Sequence, residues 1–80
     1  MPKILEHRGY KFYFFSNEGL PLERCHIHIR KDFNRCKFWI DPEISLAENI
    51  GMSAHELNIL EKTVEEKQDL IRSKYNEYFG

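Results

Sequence analysis

The sequence predicts an α+β domain, in which an antiparallel β-meander of three or four strands precedes one long C-terminal helix that packs on one face of the sheet. Short alternating or aromatic-rich segments separated by turn residues fill the first 42 residues, as in antiparallel sheets. A helix start signal and apolar residues at helical spacing follow. The 80 residues make one small domain: a meander over 1–42, a linker or short helix over 43–51 and the helix over 52–80.

Four segments of the first half are predicted as strands: 3–6, 10–15, 25–30 and 36–40. Gly9 gives the first turn its backbone freedom. A loop marked by Asn17, Glu18 and Pro21 separates the second strand from the third, and residues 31–34 form the next hairpin loop.

The third strand alternates strictly between apolar and polar residues, which indicates a half-buried strand. Pairing Arg30 with Arg35 puts the apolar residues of the third and fourth strands on one face. The opposite face then carries histidines, cations and the tryptophan: His26, His28, Arg30, Arg35, Lys37 and Trp39. The second strand adds Lys11, Tyr13 and Phe15 to that face.

The second half is predicted to be helical. Residues 44–50 are expected to form a short helical turn that ends at Gly51. Ser53 and Glu56 then have the spacing of a capping box, so a helix should run over residues 54–79. One stripe of this helix is apolar and should cover the sheet: Leu57, Leu60, Val64, Ile71, Tyr75 and Tyr78.

Charge is divided unevenly along the chain. Residues 1–40 contain eight Lys and Arg against four Asp and Glu, whereas residues 41–80 contain four against nine. The basic half could attract an anion or a nucleic acid. Alternatively, the two halves attract each other and stabilise the fold.

Cations interleaved with aromatic rings suit single-stranded nucleic acid, because bases stack on the rings while Lys and Arg meet phosphates. The same surface could instead bind a protein, since exposed Trp and Tyr are typical interface anchors. In either case the candidate binding residues are Lys11, Tyr13, Asn17, Arg35, Lys37 and Trp39.

His26 and His28 lie two residues apart and therefore share a face of the strand. As an acid–base pair they could cleave RNA, with one imidazole taking the 2′-hydroxyl proton and the other protonating the leaving 5′-oxygen. Glu18 and Arg30 complete the candidate catalytic set. Two histidines supply fewer ligands than zinc usually needs, so we assign no metal or other cofactor. A purely structural role in hydrogen bonds also remains open.

The sequence argues against several other classes of protein. It has neither a glycine-rich phosphate loop nor a nucleophile elbow. It has no apolar run long enough for a membrane span and no visible export signal. We therefore expect a cytoplasmic protein in which Cys25 and Cys36 are reduced thiols.

Several short motifs together resemble the prokaryotic domain-of-unknown-function family 4160. They run along nearly the whole chain: Pro2-x-Ile4, Gly9-Tyr10-Lys11-Phe12, Ser16-Asn17-Glu18-Gly19, His26-Ile27-His28-Ile29, Phe38-Trp39-Ile40-Asp41-Pro42 and Asn76-Glu77-Tyr78-Phe79. The chain departs from the family pattern where Arg24-Cys25 replaces a proline pair and Tyr75 replaces a tryptophan. The resemblance implies a compact cytosolic protein whose gene lies beside a second small gene, as in toxin–antitoxin modules.

The resemblance implies a toxin-like component of a two-gene module, and the histidines and the basic, aromatic face predict that it binds RNA or acts on it. Its expected partners are a cognate small protein from the neighbouring gene and RNA, with a homodimer as a further expectation. The alternative is a non-catalytic module that binds a protein partner through the aromatic and basic sheet face.

Overall fold

The computed structural model describes residues 3–15 and 24–79, which form five strands and two helices. The strands are β1 (Lys3–His7), β2 (Tyr10–Tyr13), β3 (His26–Lys31), β4 (Asn34–Trp39) and β5 (Ser45–Ile50). The helices are α1 (Ala54–Glu66) and α2 (Gln68–Phe79). Each strand pairs antiparallel with the next one along the chain, in the order β1-β2-β3-β4-β5. The α+β class and the meander are confirmed, while the numbers of strands and helices differ from those predicted.

The predicted register of the central hairpin is confirmed. Arg30 lies opposite Arg35, His28 opposite Lys37 and His26 opposite Trp39. The loop is shorter than predicted, because residues 31 and 34 also pair and leave only two residues in the turn. The other face holds the core of the described chain, whose largest fully buried apolar side chains are Phe12, Phe14, Phe38, Ile27, Ile29, Ile40, Leu60 and Ile71.

The predicted helical turn at residues 44–50 is wrong, because Ser45–Ile50 forms the strand β5 at the edge of the sheet. Six residues are too few to stabilise an isolated helix. Pairing with β4 instead gives this segment backbone hydrogen-bond partners. A register shift between Lys37 and Phe38 marks a bulge or irregularity in this pairing.

The predicted long helix is divided at Lys67, which ends α1 with φ −104° and ψ 10°. A straight helix over residues 54–79 would be about 39 Å long at about 1.5 Å per residue, whereas the longest dimension of the described chain is 33 Å. The break lets α1 bury Leu60 and Val64 while α2 buries Ile71 and Tyr75. Neither of these helices has the length and apolar character needed to cross a membrane.

The capping box at the start of α1 is confirmed. The Ser53 hydroxyl accepts a hydrogen bond from the Glu56 backbone N–H at 3.1 Å, and Glu56 Oε1 accepts one from the Ser53 N–H at 3.0 Å. Glu56 Oε2 also accepts a hydrogen bond from the Tyr10 hydroxyl at 2.6 Å. This last bond raises the pKa of Tyr10 to about 12. One carboxylate therefore caps α1 and ties it to β2.

Two glycines have backbone conformations that L side chains rarely adopt. Gly9 has φ +83° and Gly51 has φ +88°. A Cβ on Gly9 would meet only the flexible end of Lys31, at 3.6 Å. A Cβ on Gly51 would instead overlap the amide of Asn34, whose Cγ would lie 2.9 Å away.

We expect Gly51→Ala to be more destabilising than Gly9→Ala. Each variant has the cost of an alanine at positive φ, about 1–2 kcal/mol, and only Gly51→Ala adds the overlap with Asn34. Urea unfolding of the two variants measures the difference. The double variant Gly51→Ala/Asn34→Ala should regain the part of the stability that the overlap removes. Equal losses of unfolding free energy in Gly9→Ala and Gly51→Ala would contradict the steric explanation.

Candidate nucleic-acid interface

Three exposed cations form a row across the central strands. Lys11 on β2 lies opposite Arg30 on β3, and Arg30 lies opposite Arg35 on β4. Residues directly opposite each other have Cβ atoms about 5 Å apart. We call Lys11, Arg30 and Arg35 the basic row.

Among the described residues, no carboxylate lies within ion-pair distance of the basic row. Glu6 lies opposite Lys11 but forms its ion pair with Lys3, at 3.0 Å. The pKa of Glu6 is lowered first by the Lys3 hydrogen bond and to a smaller extent by the charge of Lys11. Like charges directly opposite each other destabilise a sheet, so the row favours a bound anion over an empty surface.

The next row on the same face is largely buried. Tyr13, His28 and Lys37 follow one another across β2, β3 and β4, and Glu48 lies opposite Lys37 on β5. His28 is only 8% exposed, and Tyr13 and Lys37 are also buried. The predicted face is therefore not an open sheet throughout: its basic row is exposed, while its middle is packed.

The buried row contains rings that pack on one another. The Tyr13 and His28 rings stack with centroids 5.5 Å apart, and the Phe15 ring meets His28 edge-on at 4.4 Å. Trp39 already carries two cations over its ring, Arg24 at 4.1 Å and Lys37 at 4.3 Å. An incoming base would have to compete for these rings, so the basic row is the part of the predicted surface that a ligand reaches first.

His26 is fully buried, with its ring 5.2 Å from that of His28 and 5.7 Å from those of Trp39 and Tyr75. Its Nδ1 lies 2.7 Å from the carbonyl oxygen of Arg24. Because a carbonyl oxygen can only accept a hydrogen bond, Nδ1 carries the proton. In the neutral ring, Nε2 therefore carries no hydrogen.

His28 lies closer to solvent than His26 does. It lines a surface hollow of about 150 Å³ together with Phe15, Arg35, Lys37 and Glu48. A larger hollow of about 280 Å³ lies at β1 and α2, away from both histidines. Of the two imidazoles, His28 is the one that a substrate in the nearer hollow would meet.

The structure thus brings most of the predicted site residues onto one face. Arg30, Lys11 and Arg35 are exposed, Trp39 is half-buried, and Tyr13, His26, His28 and Lys37 are buried. Asn17 and Glu18 lie outside the described residues. Their predicted roles remain predictions.

The described residues contain neither a cluster of three potential metal ligands nor an exposed cysteine. Over residues 3–15 and 24–79, no three potential metal ligands lie together. Cys25 and Cys36 are free and buried, and burial raises the pKa of Cys25 to about 11 and that of Cys36 to about 12. Such thiols are poor nucleophiles near neutral pH.

The profile of a family described as Domain of unknown function (DUF4160) matches residues 9–76. The chain belongs to this family. The matched region extends from the β1–β2 turn to α2 and includes the basic row and both histidines of β3. Comparisons with curated proteins and with solved structures give no significant match.

Two surface features escaped the sequence analysis. Phe33, at the tip of the β3–β4 hairpin, is 99% exposed. The edge strand β5 exposes Leu46 and Ile50. The first could have been noticed as an aromatic residue in a predicted turn, whereas the second required knowledge that residues 45–50 form a strand.

Replacing Arg30 with Gln removes the central charge of the basic row. We expect the free energy of unfolding to rise by up to about 1 kcal/mol at low salt, because two like-charge contacts are relieved. The gain should shrink at high salt, which screens exposed charges. Urea unfolding at both salt concentrations tests this.

The matched control is Lys62→Gln, which removes an exposed charge on α1, outside the row. It should not reproduce the salt-dependent gain. A loss of stability in Arg30→Gln that is the same at both salt concentrations would contradict the repulsion within the row.

Proposed function

We propose that the protein binds RNA through the basic row and acts as the toxin-like component of a two-gene module. The observation that carries the RNA proposal is the register that sets Lys11, Arg30 and Arg35 side by side, with no ion pair to a described carboxylate. The toxin-like role rests on the family resemblance. A cytoplasmic location fits both, as do the free thiols.

RNA phosphates suit the basic row for electrostatic reasons. Neighbouring strands lie about 4.8 Å apart, so the three cations span about 10 Å across the sheet. A phosphate chain along this line would neutralise charges that otherwise repel one another and would release its counterions. Binding at exposed side chains of this kind requires no rearrangement of the packed rings.

Cleavage is the second part of the proposal. RNA in the hollow at His28 would have Arg35 and Lys37 close enough to stabilise the negative charge that develops on the phosphorane oxygens. One imidazole would take the proton of the 2′-hydroxyl, whose oxygen bonds to phosphorus. The other would protonate the 5′-oxygen as its bond to phosphorus breaks. Since His26 is fully buried, this reaction requires movement of the surrounding rings. RNA binding at the basic row needs no such movement, so it is the primary proposal and cleavage is the secondary one.

Binding is tested with a fluorescent single-stranded RNA at several salt concentrations. We expect the affinity to fall as salt rises, because phosphate contacts release counterions. Lys11→Gln, Arg30→Gln and Arg35→Gln should each weaken binding of all sequences to a similar degree. Each should also reduce the slope of log affinity against log salt by about 0.7.

Two control variants separate the effect of the basic row from the effect of net charge. Lys62→Gln and Lys74→Gln remove equal charge from the helices, where both residues are exposed, and should leave the slope unchanged. If the folded wild type binds no RNA at low salt, the RNA proposal fails, and the protein-binding alternative takes its place.

Cleavage and toxicity are tested with His28→Gln. Wild type should cleave RNA and arrest growth when its gene is induced in bacteria, and folded His28→Gln should do neither. His55→Gln is the matched control, because His55 is an exposed histidine on α1. Circular dichroism establishes that each variant is folded.

The outcomes separate catalysis from binding. If His28→Gln and wild type behave alike, His28 has no part in activity and the proposed pair of acid and base fails. If wild type binds RNA but neither cleaves it nor arrests growth, the protein is a non-catalytic RNA-binding module.

A further inference from the structure

The tip of the β3–β4 hairpin carries a phenylalanine with almost no contact to the rest of the described chain. Phe33 is 99% exposed, the highest value among the large apolar side chains of the described residues. It occupies one of the two turn positions between Lys31 and Asn34, where small polar residues or glycine are usual. The fold therefore gains little from an aromatic ring at this position.

The turn that presents Phe33 is supported on both sides. On one side, the Lys31 Nζ lies 4.8 Å from the ring centroid of Tyr10, and Tyr10 is itself held by Glu56. On the other side, Asn34 lies directly against Gly51, at the start of the connection to α1. The hairpin tip is thus braced against two other parts of the fold, which reduces the ordering needed when it binds a ligand.

Cations surround this tip. Arg30 lies three residues before Phe33 and Arg35 two residues after it, so both row residues are within about 10 Å along their strands. Lys31 adjoins the turn, and the β1–β2 turn, with Arg8 and Gly9, lies at the same end of the sheet next to Lys31. Asp32 is the acidic residue within the turn.

We propose that Phe33 stacks on an unpaired base of an RNA strand whose phosphates lie along the basic row. This inference rests on the proposed function and specifies the form of RNA that is bound. An exposed ring beside cations is the combination that binds single strands, because a base offers its face to the ring while its phosphate meets Lys or Arg. In a duplex, the base faces are already covered by neighbouring bases, so Phe33 selects single-stranded segments.

An anionic membrane is the competing ligand for an exposed ring among cations. At this end of the described sheet, the exposed large apolar side chains are Phe33 and Ile50, which lies opposite Arg35. Two side chains offer little apolar area, whereas interfacial membrane binding scales with buried apolar area. Next to the tip, the cations also continue across β2, β3 and β4 as the basic row. Both observations favour an RNA strand that crosses the sheet over a membrane surface.

The experiment measures binding of wild type, Phe33→Ala and Phe33→Trp to a single-stranded RNA and to a duplex of the same sequence. Phe33→Ala should weaken single-strand binding by about 5- to 150-fold, the range for loss of one stacking ring. Phe33→Trp should retain it, and duplex binding should not change. Leu70→Ala, which trims an exposed apolar residue on α2, is the matched control and should bind as wild type does.

A second measurement tests the stack itself. Replacing single nucleotides by abasic ones should find at least one position where wild type loses affinity and Phe33→Ala does not. Such a position identifies the stacked base. If every abasic substitution affects wild type and Phe33→Ala equally, the proposed stack is absent.

Other outcomes also distinguish this inference from the proposed function. If wild type binds RNA and Phe33→Ala binds single strands equally well, the inference is wrong while the proposed function stands. An equal loss for single strand and duplex would also overturn it. Loss of binding to phosphatidylserine vesicles with RNA binding intact would assign Phe33 to a membrane instead. If wild type binds no RNA, the proposed function itself fails.

Discussion

Pairing of β3 with β4 is the constraint on which both the core and the candidate interface depend. Side chains alternate between the two faces of a strand, so the alignment of Ile29 with Cys36 also fixes that of Arg30 with Arg35. A slip of one residue would turn Ile29 to the solvent and Arg30 into the core. Burial of the apolar face therefore holds the cations in a row, although the cations themselves repel one another.

The basic first half and the acidic second half of the chain contribute to different surfaces of the folded protein. The helices pack against the face that carries Ile27 and Ile29, while the basic row lies on the other face. The ion pairs among described residues are local or lie within the second half, as between Arg72 and Asp41. They do not join the basic row to the acidic helices. The charges of the basic row therefore produce a positive electrostatic field at their face of the sheet.

The packed rings and the exposed row have different consequences for function. Tyr13 and His28 are covered by neighbouring groups, which gives the middle of the face a fixed shape. Lys11, Arg30 and Arg35 are exposed to solvent, so their electrostatic field extends beyond the protein surface. The braced tip with Phe33 extends this surface beyond the sheet. The exposed cations of the basic row and the accessible ring of Phe33 thus lie at the same end of the molecule.

The sequence by itself determined the register of β3 and β4, the capping box at Ser53 and the side of the sheet that carries the histidines, because these follow from local alternation and spacing. Only the tertiary structure decided that residues 45–50 form a strand, since their partner is the free edge of β4. It also decided that the helix divides at Lys67 and that His26 is buried while Arg30 is exposed. Burial depends on which rings and helices meet a face, and alternation along one strand does not contain that information.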